Sequence, residues 1–190
     1  MNSLSRQALL MIIDLQQAID DPSWGERNNL EAEENIGKLL EFWRSQEQPI
    51  LHIKHMSTES NSLYRPGQIG NNFKPVTQPK ANEEILEKNT NSAFIRTNLE
   101  QKLRERKINE VVIVGVITNN SVEATARMSA NLGFRTVVVS DGTFTFGKHD
   151  YAGNWRTAEE VHNMSLANLS GEYAEICSSS EVLALLSRVS

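Results

Sequence analysis

Short runs of continuous apolar residues alternate along the chain with segments of helical period. Ala8-Leu9-Leu10-Met11-Ile12-Ile13, Val111-Val112-Ile113-Val114-Gly115 and Thr136-Val137-Val138-Val139 are apolar almost throughout. Such runs predict strands buried on both faces. Ile50-Leu51-His52-Ile53-Lys54 predicts another strand, and a short one is expected near Ala174-Glu175-Ile176. Between the first two strands, Ala32, Ile36, Leu39, Leu40 and Trp43 form one apolar stripe, predicting a helix over Leu30 to Ser45. Five pairs at capping-box spacing mark helix starts: Asn28/Glu31, Thr97/Glu100, Asn120/Glu123, Thr157/Glu160 and Ser178/Glu181. The helix after Asn120 is rich in Ala124, Ala126, Ser129 and Ala130, which let it lie close to a sheet, and Gly133 is expected to end it. Residues 56–82 are polar and punctuated by Pro66, Gly67, Gly70, Pro75 and Pro79, the pattern of a long lid or binding loop.

Strands buried on both faces and alternating with helices predict a three-layer α/β/α sandwich on a mostly parallel, Rossmann-like sheet. We expect one domain over residues 1–190. Ligands in such folds bind beyond the C-terminal ends of the strands. That rule points to Asp14, just after the first strand, and to the segment from Thr118 to Ser121, just after the central one.

The chain has 190 residues, 39% hydrophobic and 23% charged, with a net charge of −5. This composition suits a globular fold and offers nothing to attract nucleic acid or an anionic membrane. No apolar run is long enough to span a bilayer, and the first residues lack the order of a signal peptide. The single cysteine, Cys177, cannot form an internal disulfide. A cytoplasmic protein acting on a small molecule is therefore expected, with no nucleic-acid or membrane partner.

Asp14 closes a buried strand, where partial desolvation suits a carboxyl group to acid–base work; a turn cap is an equal reading of its position. Lys88 alone reads as a solvated charge. Ser121, at the start of a helix, sits where outward-pointing N–H groups favour negative charge, although Asn120 or Ser121 could simply cap that helix. Cys177 reads as a buried, inert thiol. His52 and His55 lie three apart on a strand, so their rings should diverge. Arg65 reads first as a solvated loop charge. Some of Trp24, Tyr64, Phe73, Phe94, Tyr151 and Trp155 should line a pocket.

Three segments together resemble the isochorismatase-like, or cysteine hydrolase, family. They are Leu10-Met11-Ile12-Ile13-Asp14-Leu15-Gln16, then Lys88 ahead of Ser92-Ala93-Phe94, then Gly115-Val116-Ile117-Thr118-Asn119-Asn120-Ser121 through Arg127. The resemblance covers almost the whole chain. It implies that Asp14 is the acid–base residue, that Lys88 is its partner and that Ser121 holds the third catalytic position. It further implies a non-proline cis peptide near Val116-Ile117, substrate contacts from Gln16, Phe94, Ile117 and Asn120, no cofactor, and a homo-oligomer. The nicotinamidase Asp-x-His motif is missing, so no metal is expected.

The resemblance breaks at Ser121, where most of the family has cysteine. Serine is the weaker nucleophile unless a base activates it. Three explanations stay open: an introduced Cys-to-Ser change, a true serine enzyme, or a reaction that needs no protein nucleophile. True isochorismatases illustrate the last, since they lack the cysteine and hydrolyse a vinyl ether by protonating it. Vinyl-ether hydrolysis is the reading slightly preferred, amide hydrolysis the alternative. A binding protein that has lost turnover is the reading from another class.

Overall fold

A computed structural model describes residues 3–187. Six strands form one parallel sheet in the order β3-β2-β1-β4-β5-β8. They are β1 (Leu9–Ile13), β2 (Ile50–His55), β3 (Glu84–Lys88), β4 (Glu110–Val116), β5 (Arg135–Phe144) and β8 (Glu175–Cys177). A small antiparallel pair, β6 (Lys148–His149) with β7 (Trp155–Arg156), stands apart from it.

Alternation along the strands divides the core into two layers. Leu10, Ile12, Val112, Val114, Val137 and Val139 pack with Ile36, Leu39, Leu40 and Trp43 of α1 (Ala32–Ser45) and with Val182, Leu185 and Leu186 of α5 (Ser179–Ser187). Leu9, Met11, Ile13, Val111, Ile113 and Val138 face the other way. They meet Leu99 and Leu103 of α2 (Leu99–Glu105), Val122 with Ala126 of α3 (Glu123–Asn131), and Leu166 and Leu169 of α4 (Ala158–Leu169). Both sheet faces are therefore covered by helices, which is why the strand sequences read as unbroken apolar runs. The expected three-layer α/β/α sandwich is the observed fold.

The helix starts divide. Thr157 and Glu160 form a full capping box at α4, and Ser178 and Glu181 exchange the same pair of bonds at α5. The other three expected boxes are absent because their side chains bond other groups, some within one turn and some far along the chain. Asn28 Oδ1 accepts the Thr145 N–H at 2.9 Å, Thr97 Oγ1 donates to the Ala93 carbonyl at 2.6 Å, and Glu123 binds Arg127 and Ser165. Gly133 ends α3 with φ +84°, as expected. Segment 84–88 was not expected to be a strand. It is the sheet edge, burying only Leu86 and Lys88 deeply, so it reads as polar. Among the described residues, no helix is long and apolar enough to cross a membrane.

One glycine positions the site directly. Gly115 has φ +110°, and a Cβ there would stand 2.2 Å from the Ile13 carbonyl oxygen. Only glycine permits β4 to pass so close to the end of β1.

Candidate active site

At the end of β1 the chain turns into the left-handed region at Asp14, φ 50°, which a short polar side chain tolerates. Its N–H still bonds the Ile53 carbonyl of β2, while its own carbonyl accepts from Gln16 N–H and from the Tyr64 hydroxyl. The carboxylate is thus held at the sheet's C-terminal edge and is 4% exposed.

Lys88 ends β3, directly opposite His55 in the β2 register. Its side chain is fully buried, and its ammonium touches three polar groups. Asp14 Oδ2 lies at 2.7 Å, His55 Nδ1 at 3.2 Å and Ser121 Oγ at 3.4 Å. A lysine that reads from sequence as a surface charge is therefore a three-point anchor for groups from β1, β2 and the loop after β4.

That loop opens with the cis peptide Val116–Ile117. A π-type turn follows over Thr118–Val122, with Asn120 outside helical geometry at φ −131° and ψ −105°. Side chains of other elements brace it. Thr118 Oγ1 meets His162 Nδ1 at 2.9 Å, Ser165 Oγ donates to the Thr118 carbonyl, and Thr145 Oγ1 donates to Asn119 Oδ1 at 2.6 Å. Ser121 ends up buried and facing Lys88.

These groups meet a cavity of about 500 Å³. Asp14, Ile117, Asn120 and Ser121 are on its wall, with Trp24, His55, Tyr64 and Glu59. Trp24 is fixed by its indole N–H to the Ala18 carbonyl at 2.9 Å and by stacking on Phe146. Tyr64 comes from the long polar loop; burial, and then the nearby Asp14, push its phenol well up. His55 is shifted the other way. Burial first and Lys88 second lower its pKa, with Asp14 acting in opposition.

Two expected substrate contacts lie elsewhere. Gln16 is fully buried and is not part of the wall; its amide binds main chain at His55 and Asn71. Phe94 is drawn beneath α3, where the adjacent Ala93 N–H bonds Thr125 and its ring stacks on Phe134 at 5.9 Å. Trp24 and Tyr64 supply aromatic wall instead. His55 carries no motif of its own and reads from sequence only in relation to His52. That relation is as expected: His52 turns to Glu83 and His55 to Lys88. The signal that would have found it is the strand-end rule that found Asp14. Cys177 is buried, with its thiol pushed up mainly by burial, and Arg65 is an exposed loop residue. Among the described residues, no three His, Cys, Asp or Glu cluster as a metal site.

Comparison with known proteins shows the family. Residues 7–181 match the isochorismatase domain model. An isochorismatase family protein of Bacillus subtilis, YrdC, is 42% identical over 95% of this chain and 96% of its own. An isochorismatase-family structure from Chromobacterium violaceum superposes with a TM-score of 0.96 at 52% identity, covering 99% of this chain and 97% of that one. Nicotinamidase 3 of Arabidopsis thaliana is 38% identical across 52% of this chain and 43% of its own length. The chain belongs to the isochorismatase family of hydrolases.

Proposed function

We propose that this hydrolase acts on a small molecule by proton transfer at Asp14, steadied by Lys88, with water rather than Ser121 as the nucleophile. One observation carries the reading: the two oxygens of Asp14 are treated differently. Oδ2 is held by Lys88, while Oδ1 is buried with no hydrogen-bond partner among the described residues. A buried carboxylate oxygen without a partner is costly, and a substrate proton or a water proton supplies the missing bond. Ser121 Oγ takes a hydrogen bond from the Lys88 ammonium, and no base among the described residues accepts its proton. A hydroxyl so placed orients a ligand better than it attacks one.

Applied to an enol ether, the chemistry closes on these groups. Asp14, after taking up a proton on its unpaired Oδ1, gives it to the terminal alkene carbon, and the C=C electrons form the new C–H bond. Water adds to the resulting oxocarbenium carbon and returns a proton to Asp14. The hemiketal then breaks its C–O bond to leave a ketone and an alcohol, which for isochorismate are pyruvate and a dihydrodiol acid.

The charge of the wall favours a second substrate class. Asp14 and Glu59 are its acids, and no Arg or Lys stands among its lining residues. An uncharged amide suits such a wall better than a dicarboxylate does, and the similarity to a nicotinamidase runs the same way. There Asp14 would take a proton from water as it adds to the carbonyl and pass it to the amide nitrogen as the C–N bond breaks, leaving a carboxylic acid and ammonia. Release of pyruvate from isochorismate and of ammonia from a panel of neutral amides, assayed on wild type and Asp14→Asn, separates the two. Turnover that Asp14→Asn leaves unchanged discards both.

A further inference from the structure

We propose that His55 is a neutral hydrogen-bond donor to the bound substrate, and that Lys88 fixes which ring nitrogen carries its proton. The substrate contact rests on the hydrolase reading above; the state of the ring does not. An ammonium has three donors and no acceptor. Asp14 Oδ2, His55 Nδ1 and Ser121 Oγ surround Lys88 Nζ at 2.7, 3.2 and 3.4 Å, one acceptor for each donor. His55 Nδ1 must therefore present a lone pair. A neutral imidazole has one N–H, so its proton is on Nε2.

Nε2 is open to the cavity. The buried side-chain atoms without partners are Asp14 Oδ1, Gln48 Oε1 and His52 Nδ1, and Nε2 is not among them. The ring itself forms part of the cavity wall. It is held there firmly. Gln16 bonds the His55 N–H at 2.7 Å and its carbonyl at 3.1 Å, Asn71 bonds the same carbonyl at 2.9 Å, and Tyr64 meets the ring edge-on at 5.7 Å. The titratable groups around the ring are Lys88 from β3, Asp14 from the end of β1, and Tyr64 and Glu59 from the long loop. Burial and the ammonium disfavour a second proton on the ring.

A neutral imidazole N–H can polarise a carbonyl or ether oxygen without surrendering its proton. His55 thus supplies the electrophilic contact, while Asp14, on the adjoining wall, moves the proton. Lys88 couples the two groups, because one ammonium orients both.

Nitrogen-15 NMR of the histidine rings tests the state of the ring in the wild-type protein and in Asp14→Asn, with His55→Gln assigning the signal. At pH 7 the expected form has Nε2 protonated and Nδ1 bare; an Nδ1–H tautomer or an imidazolium overturns the proposal without reference to any substrate. For the contact, kcat should fall at least tenfold in His55→Leu. It should recover partly in His55→Gln, whose amide can accept from Lys88 and donate to substrate. The wild-type rate should decline in acid, below the ordinary histidine range, as the ring takes a second proton and loses Lys88; His55→Gln should lack that decline. Full activity in His55→Leu, or the same acid limb in His55→Gln, overturns the contact. If His55→Leu does not fold, the pH profile of His55→Gln decides. Undiminished turnover in Asp14→Asn would instead reject the hydrolase mechanism, and NMR would still judge the ring.

Discussion

The side-chain amide of Gln16 closes on the main chain of His55 from both directions, Oε1 accepting the N–H at 2.7 Å and Nε2 donating to the carbonyl at 3.1 Å. Gln16 follows the β1 carboxylate by two residues, and His55 ends the neighbouring strand. The amide therefore extends the β1–β2 pairing past the point where the backbone of Asp14 has turned away. It also ties the site to the long loop through the Asn71 carbonyl at 3.0 Å.

Replacing Gln16 with leucine keeps similar bulk and removes these bonds. The His55 N–H and the Asn71 carbonyl then lose their partner in a crowded interior, at roughly 1–3 kcal/mol for each one left unsatisfied, while the His55 carbonyl keeps the Asn71 amide. We expect urea unfolding to show a loss of about 2–4 kcal/mol. The ring of His55 should also lose its fixed position, so kcat should drop further than the stability loss alone would cause. A variant as stable and active as wild type would show that the amide only fills space.

Lys88 and Asp14 bear on stability and activity in opposite proportions. Lys88→Met leaves a buried carboxylate with neither oxygen paired, and breaking a buried pair typically costs about 3–5 kcal/mol. Asp14→Asn keeps an acceptor for Lys88 and nearly the same shape, so its stability should change by less than about 2 kcal/mol. Its turnover should nonetheless fall by about 10²–10⁴. The double variant Lys88→Met with Asp14→Asn should be more stable than Lys88→Met alone, because the uncompensated charge is gone. Thermal melts of the four proteins measure this coupling, and strict additivity would mean that the pair is not electrostatically linked.

Much of this arrangement could be read before the fold was known, and the part that could not has a physical reason. β1, β4 and β5 announce themselves because both their faces are buried, which leaves no polar position to confuse the pattern. Asp14 and Ser121 follow from the rule that ligands gather at the C-terminal ends of such strands. β3 escapes that logic. As an edge strand it exposes Ile85 and Glu87, so Lys88 was found only through the family resemblance. The resemblance implies substrate contacts from Gln16 and Phe94, yet contacts made far along the chain decide where they point. The same long-range competition dissolved the box at Asn28, whose side-chain oxygen serves Thr145 across 117 positions. Local signals survive where nothing distant competes, as at Thr157 and Ser178.

Ser121 gives the most direct test of how the reaction proceeds. If water is the nucleophile, Ser121→Ala removes one acceptor from Lys88 and should lower kcat by less than about tenfold, the scale of one modest hydrogen bond. If the serine attacks the substrate, the same change should abolish turnover. Ser121→Cys should raise ammonia release from amides if the pocket still accommodates thiol chemistry, since a thiol ionises far more readily than a hydroxyl. Rates for the three proteins on the enol ether and on the amides distinguish these outcomes, and a dead Ser121→Ala would reverse the assignment made above.

Away from the site, the cluster of Glu83, Arg44 and His52 should set part of the protein's acid stability. Glu83 accepts from Arg44 Nε at 2.6 Å, from His52 Nε2 at 2.8 Å and from Lys80 N–H at 3.0 Å. Burial alone would push its carboxyl up, but hydrogen bonds from Arg44, Lys80 and His52 together outweigh it and hold the pKa at about 2. In the unfolded chain the value returns to about 4.3. A carboxylate depressed on folding stabilises the native state fully above its unfolded pKa, and that contribution is lost as the pH falls through its folded value. The window for Glu83 therefore runs from about pH 5 down to about pH 2. Glu83→Gln should melt below wild type at pH 7, the gap should narrow through pH 4, and it should nearly vanish close to pH 2. Melting curves across that range measure it. A gap that stays constant into strong acid would mean that the charge on Glu83 adds nothing beyond its hydrogen bonds.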